Sequence, residues 1–164
     1  MSKKNQEFFQ TIYKQCYPMV VQMCLGYMKG DADLANDLTQ EIFINIWNAM
    51  DSFKGKSTHK TWVYRITVNT CLQYIRKEKN KKKVSIEKVE HALTEESYEA
   101  TSDQNHSLYR AIGTLEELDR LLIMMVLDGQ GYDDISEIMG IKSTNVRVKI
   151  HRIKKRLKKI LDHE

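Results

Sequence analysis

The chain is short of helix breakers and of anything that would staple a small fold. One proline and seven glycines occur in 164 residues. Alternating β-branched runs are few, so there is little to build a sheet from, and an all-α chain is expected. Three cysteines, Cys16, Cys24 and Cys71, form no CxxC pair and fall beside apolar residues in helical patterns. They read as small buried hydrophobes rather than as zinc or redox ligands. No apolar run approaches the roughly 20 residues of a membrane span, and Met1–Gln10 is too polar and charged for a secretory leader. These absences predict a soluble, cytoplasmic protein with no membrane insertion. Also missing are a Gly-rich phosphate loop, paired catalytic carboxylates, a Ser/His/Asp set and Cys/His metal spacing. No catalytic residue, metal site or cofactor is therefore expected, and the chain is not read as an enzyme.

What is abundant is charge, and it is segregated. The net charge of +4 conceals a basic block at residues 54–83, with ten Lys or Arg against one acid, followed by residues 84–107 with six acids against one base. Residues 142–159 then carry nine Lys or Arg and no acid. Two basic blocks around an acidic spacer suggest two separate contacts with a polyanion, joined by a segment that does not itself bind it. At this length the chain could be one domain or two, and two modules below about 80 residues would each bury only a marginal core and lean on a larger partner.

Helical periodicity organises the rest. Gln6–Met28 has apolar Phe9, Ile12, Cys16, Met19, Val20, Met23 and Tyr27 on one face, with Pro18 expected to kink it. After a break at Gly30–Asp31, Asp33–Met50 places Leu34, Leu38, Ile42, Ile46 and Met50 inward, widened by Phe43 and Trp47. Asp51–Lys60 reads as a loop, and Thr61–Glu78 as a helix buried through Trp62, Ile66, Asn69 or Thr70, and Ile75. From Leu115 to Leu161 two short helices feed a long basic one across a tight turn, the layout of a DNA-reading helix-turn-helix. Its last helix buries Val146, Ile150, Ile153, Leu157 and Ile160 and leaves the opposite face free.

Three strings in this order resemble the bacterial RNA polymerase sigma factors of the two-domain, extracytoplasmic-function type. Asp37-Leu38-Thr39-Gln40-Glu41-Ile42-Phe43 with Trp47 is similar to the family's polymerase-binding helix. Asp51-Ser52-Phe53-Lys54-Gly55-Lys56-Ser57, then Thr61-Trp62-Val63-Tyr64-Arg65-Ile66 and Asn69, resembles the segment that opens and reads the minus-ten promoter element. Tyr132-Asp133-Asp134-Ile135-Ser136-Glu137-Ile138-Met139-Gly140-Ile141, continuing through Val146-Arg147 to His151-Arg152, resembles the minus-thirty-five reader. The chain departs from the pattern at Gly113-Thr114, where relatives have a proline, at His59-Lys60 in the reading loop, and at Val148 on the recognition helix. Those departures bear on which promoter is read.

The resemblance implies two small helical domains joined by a flexible acidic linker, the second a helix-turn-helix. Residues 1–82 would be sigma region 2, 83–106 the linker and 107–164 sigma region 4. The implied function is to bind core RNA polymerase and direct promoter-specific initiation, with promoter DNA as the second partner. It also implies an inhibitor, an anti-sigma factor covering the polymerase-facing surfaces, although some relatives do without one.

Asp37, Gln40 and Glu41 share a helix face at i, i+3 and i+4. Spacing alone makes that a solvated acidic face, whereas the resemblance makes it a docking surface for the Arg-rich coiled coil of the polymerase clamp. Minus-ten contacts fall to Phe53, Lys56, Ser57, His59, Lys60, Arg65, Asn69 and Arg76. In relatives a flipped nucleotide enters a pocket made by the loop, here Phe53–Lys60, above the helical asparagine, and an asparagine offers both a donor and an acceptor to a base edge. Trp62 and Tyr64 have the form of stacking platforms, but Trp62 lies on the apolar stripe and is assigned to the core. The run Lys79, Lys81, Lys82 and Lys83 is either a soluble helix end or a phosphate contact. Minus-thirty-five contacts fall to Ser143, Thr144, Asn145, Arg147, Val148, Lys149, His151 and Arg152, with Arg147 the base reader and Lys155, Arg156 and Lys158 facing phosphate or solvent. The main rival is a stand-alone helix-turn-helix regulator binding an operator unaided. It would need a ligand pocket or dimer surface in residues 1–100.

Overall fold

The helix starts are set by short polar side chains. Ser2 Oγ accepts the Asn5 N–H at 3.3 Å, Asp31 Oδ1 the Leu34 N–H at 3.1 Å, and Thr58 Oγ1 the Thr61 N–H at 3.2 Å. Each satisfies a first-turn donor that the helix cannot satisfy itself. A computed structural model describes residues 2–84 and 103–163. Within them lie α1 (Lys3–Tyr27), α2 (Ala32–Asn48), a 3₁₀ turn (Met50–Ser52), α3 (His59–Val84), α4 (Asp103–Gly113), α5 (Glu117–Leu127), α6 (Tyr132–Met139) and α7 (Ser143–Asp162), with no strand among the described residues. Most of the acidic spacer, residues 85–102, lies outside the described residues. Its margins are helical: α3 runs six residues past the expected end at Glu78, because the lysine-rich run carries no breaker.

Pro18 lies inside α1, and the helix continues through it to Tyr27. The proline removes the donor for the carbonyl of Lys14, a residue on the exposed side of the helix. In the helix-turn-helix, α6 ends at Gly140 with φ 68°, a left-handed position that suits glycine, and its N–H closes on the Ser136 carbonyl at 2.9 Å. The chain then turns into α7, whose Val146, Ile150, Ile153 and Leu157 are buried, with Ile160 half-buried at the edge.

A single apolar core runs through both halves of the chain. α1 packs against α2 and α3 on one side and against α5 and α4 on the other, while α6 packs on α3. The two halves pack on each other, α1 against α4 and α5 and α3 against α6. Gly26 makes the closest approach, since a Cβ built there would sit 2.2 Å from Met124 Sδ of α5. No buried side-chain nitrogen or oxygen lacks a partner among the described residues. The buried threonines manage this by bonding back along their own helices, Thr39 to the Ala35 carbonyl (2.7 Å), Thr67 to Val63 (2.8 Å) and Thr70 to Ile66 (2.7 Å).

Two stripes differ from expectation. Leu34 is 41% exposed, and Ala35 and Thr39 take the inward positions beside Leu38, Ile42 and Ile46. On α3 the fully buried residues are Val63, Tyr64, Thr67, Val68, Thr70 and Cys71; Trp62, Ile66 and Ile75 lie at the edge and Asn69 is exposed. α3 is covered by α2, α1 and α6, so its buried arc is wider than one periodic stripe and is centred about one residue later. Tyr64 is therefore no stacking platform. All three cysteines are buried and free.

Candidate functional site

α2 carries the first of three surfaces. Asp37 and Gln40 point to solvent, whereas Glu41 is turned toward α3 and pairs with Lys77 at 3.5 Å. Gln40 borders an open groove of about 540 Å³ between α1 and α2, lined by Phe9, Tyr13, Tyr17, Phe43, Ile44 and Trp47. The rings form a continuous ladder, with Phe9 edge-on to Trp47 at 5.0 Å, Tyr13 against Phe43 at 4.7 Å and Tyr17 stacked on Phe43 at 5.9 Å. Ile44 is 59% exposed and Tyr13 44%. Apolar surface left in water beside a polar rim is the make-up of an interface. Sequence reasoning found the acids and missed the aromatic floor. The signal was there in Tyr13, Tyr17 and Ile44, which fall off the buried stripes of both helices.

The second surface is the loop between the 3₁₀ turn and α3. Phe53 and His59 belong to one aromatic cluster: His59 stands edge-on to Phe8 at 4.7 Å and to Phe53 at 5.2 Å, and Phe53 lies 4.9 Å from Trp62. Lys56, Lys60, Asn69 and Arg76 are exposed, with Ser57 and Arg65 partly so. Lys60 and Arg65 are engaged by the other module. Lys60 Nζ lies 3.4 Å from Asp128, and Arg65 Nη2 donates to Glu137 Oε1 at 2.9 Å. The buried Tyr64 hydroxyl also donates to Asp128, and burial followed by that carboxylate pushes its phenol pKa up. Farther along α3, Lys79 lies 3.9 Å from Glu117 of α5, and Lys81 3.6 Å from Glu78.

The third surface is the outer face of α7. Thr144, Asn145, Arg147, Val148, Lys149, His151 and Arg152 are all exposed, and Ser143 is half-buried. Ser143 Oγ donates to Asp133 of α6 at 2.8 Å, bracing the turn, and the Arg147 guanidinium lies 5.4 Å from the Tyr132 ring centre. The first turn of α7 holds no acid of its own and no side-chain cap, so no side chain of the helix itself offsets the positive end of its dipole. The face is continuous, cationic and shaped as one helix, which a major groove admits.

No group of three or more His, Cys, Asp or Glu is placed to hold a metal among the described residues, and no helix there is long and apolar enough to cross a membrane.

Known proteins match this arrangement. The family model for sigma-70 region 2 covers residues 12–81 and that for sigma-70 region 4 covers residues 105–157. The chain is 30% identical to the ECF RNA polymerase sigma-E factor of Escherichia coli (strain K12), over 93% of this chain and 85% of that one. It is 27% identical to the RNA polymerase sigma factor YlaC of Bacillus subtilis (strain 168), over 95% and 93% of the two chains. Its fold matches the solved complex of the sigma factor RpoE with the anti-sigma factor NepR from Bartonella quintana, with a TM-score of 0.81 at 21% identity over 95% of this chain and 98% of that one. It also matches CnrH in complex with the cytosolic domain of CnrY, with a TM-score of 0.71 at 17% identity over 97% and 90%. The chain belongs to the sigma-70 family of RNA polymerase sigma factors, in its extracytoplasmic-function type.

Proposed function

We propose how the three surfaces divide the work of a sigma factor that binds core RNA polymerase and directs promoter-specific initiation. Residues 1–82 act as region 2, 83–106 as the linker and 107–164 as region 4, and the protein works in the cytoplasm. Asp37, Gln40 and Glu41 dock the basic coiled coil of the polymerase clamp, with the aromatic groove beside Gln40 supplying apolar contact area. Carboxylates facing guanidinium groups make charge-assisted hydrogen bonds, roughly twice as strong as neutral ones.

Phe53, Lys56, Ser57, His59, Lys60, Arg65, Asn69 and Arg76 hold the opened minus-ten strand. Asn69 is the base reader: it is exposed on α3, one turn beyond Arg65, and bears a donor and an acceptor. Ser143, Thr144, Asn145, Arg147, Val148, Lys149, His151 and Arg152 read the minus-thirty-five duplex, with Arg147 on a base edge. The observation that carries the division is the exposed, acid-free outer face of α7, set on a buried four-residue stripe behind a braced turn. An anti-sigma factor, as NepR is for its RpoE, would compete with polymerase by covering the α1–α2 groove.

Run-off transcription with purified core polymerase and a genomic promoter pool tests the reading. Gln40→Ala combined with Glu41→Lys lowers core affinity without loss of helix by circular dichroism. Asn69→Ala leaves closed-complex formation intact and reduces permanganate-reactive strand opening. Equal loss at both stages for Asn69→Ala removes its base-reading role.

A further inference from the structure

We propose that the first two turns of α1 hold the minus-ten loop in the shape that receives a base, with Asn5 and Phe8 as its positioning residues. The inference rests on the assignment of residues 53–60 to minus-ten DNA, and adds to that set two residues that act on the loop from behind.

The loop has little of its own to hold it. Among the described residues no backbone hydrogen bond joins Lys54, Gly55, Lys56 or Ser57 to the rest of the fold. The side-chain bonds nearby are local, from Ser57 Oγ to the Thr58 carbonyl at 3.3 Å and from Thr58 Oγ1 to Thr61 Oγ1 at 3.0 Å. Lys54 and Lys56 are both exposed, and their like charges repel. Any ordering still to be done when a base arrives is subtracted from what its capture gains.

The missing restraint comes from α1. Asn5 and Phe8 are three residues apart and so share a face of the helix. Asn5 Nδ2 donates to Asp51 Oδ1 at 2.7 Å, tethering the 3₁₀ turn that leads into the loop. Phe8 holds both ends of the loop, its ring centre lying 5.8 Å from that of Phe53 at the entry and 4.7 Å, edge-on, from that of His59 at the exit. Phe53 and His59 meet each other at 5.2 Å, and Phe53 continues to Trp62 at 4.9 Å. Tilted and edge-on ring pairs at such separations attract beyond the area they bury. The loop is thus pinned at its neck while Lys54, Gly55 and Lys56 at its tip stay in solvent. Asn5 and Phe8 are half-buried, as suits groups that set the shape of a reader, whereas His59 and Lys56 are exposed.

Phe8 also packs against the apolar core, so the test separates positioning from stability. Phe8→Leu keeps an apolar side chain and loses the ring, and Asn5→Asp sets a carboxylate against Asp51. Phe8→Tyr restores a ring, and Asn5→Asp combined with Asp51→Asn restores the hydrogen bond in the opposite direction. In the free full-length protein, tryptic cleavage after Lys54 and Lys56, mapped by mass spectrometry, reads the order of the loop. Both disruptive variants should speed that cleavage about tenfold relative to cleavage in α7, which a general loss of stability would raise equally. In holoenzyme, on a promoter obtained by run-off selection, permanganate-reactive opening should fall about fivefold with closed-complex affinity unchanged. The two restoring variants should bring both readouts back. Wild-type cleavage in both disruptive variants overturns the proposal, and so do faster cleavage with wild-type opening and the failure of both restorations. Opening that is also indifferent to Phe53→Ala and Asn69→Ala removes the loop from minus-ten reading altogether, a failure of the assignment beneath the proposal that these two variants alone reveal.

Discussion

The two basic surfaces, at the start of α3 and along the outer face of α7, differ in what their cations touch. On α3, Lys60 and Arg65 are paired with acids from the other module. On α7, Lys149, Arg152, Lys154, Lys155, Lys158 and Lys159 form no ion pair among the described residues, and Arg147 rests on a tyrosine ring. Leaving cations in solvent keeps a surface permanently ready, at the cost of repulsion along the helix. Giving them replaceable anions makes access depend on conformation. The α7 face is of the first kind and the start of α3 of the second.

The largest effect expected comes from removing what both surfaces stand on. Ile150 is fully buried beneath the α7 face, and Ile150→Ala should cost about 2–5 kcal/mol. Because one core joins the modules, thermal unfolding followed by circular dichroism should remain a single transition at a lower midpoint. Separate melting of the second module would break the comparison, since closure could not then be a property of the folded chain.

A middle-sized effect sharpens it. Arg147→Ala should lose about 1–3 kcal/mol of minus-thirty-five duplex affinity, and only for the preferred sequence. Lys155→Ala, behind the reading face, should weaken binding to all duplexes slightly and lower the salt slope by about one. Titration of holoenzyme at several salt concentrations separates the two. Equal, sequence-independent losses would make α7 an electrostatic clamp rather than a reader.

What was legible in the sequence follows from how local each signal is. The α7 stripe and its basic outer face depend on spacing within one helix, and Val146, Ile150, Ile153 and Leu157 lie where periodicity puts them. The break after Tyr27 and the Gly140 turn are likewise written in adjacent residues. Leu34 went astray, and the choice between Asn69 and Thr70 stayed open until Thr70 proved the buried one, because burial is decided by which neighbour covers which arc of α2 or α3, and periodicity does not name the neighbour. The seam between the two halves was illegible for the same reason. Arg120 looks like one more surface base until α1 supplies its carbonyl, and Asp128 and Glu137 look like turn and helix acids until α3 is beside them. The aromatic groove was half legible: its rings were visible in the sequence, but their stacking across two helices was not.

The smallest effect is absent at neutral pH and appears only in alkali. Tyr27 and Tyr64 lie at the seam, their hydroxyls donating to the Cys71 carbonyl at 2.9 Å and to Asp128 respectively, and burial is the leading cause that raises both phenol pKa values. A tyrosine in the unfolded chain ionises near pH 10. Above that pH the unfolded state has released protons that the folded state still holds, so stability falls as pH rises; below it the two states hold the same protons and these groups contribute no slope. Denaturant midpoints should therefore be flat with respect to these tyrosines from neutral pH to about pH 9.5 and decline beyond it. Tyr64→Phe removes one of the two groups, so its alkaline decline should be shallower than that of the wild type, while Lys60 stays beside Asp128. Identical alkaline slopes in the two proteins would show that Tyr64 meets water, and hence that the closed seam opens before the core does.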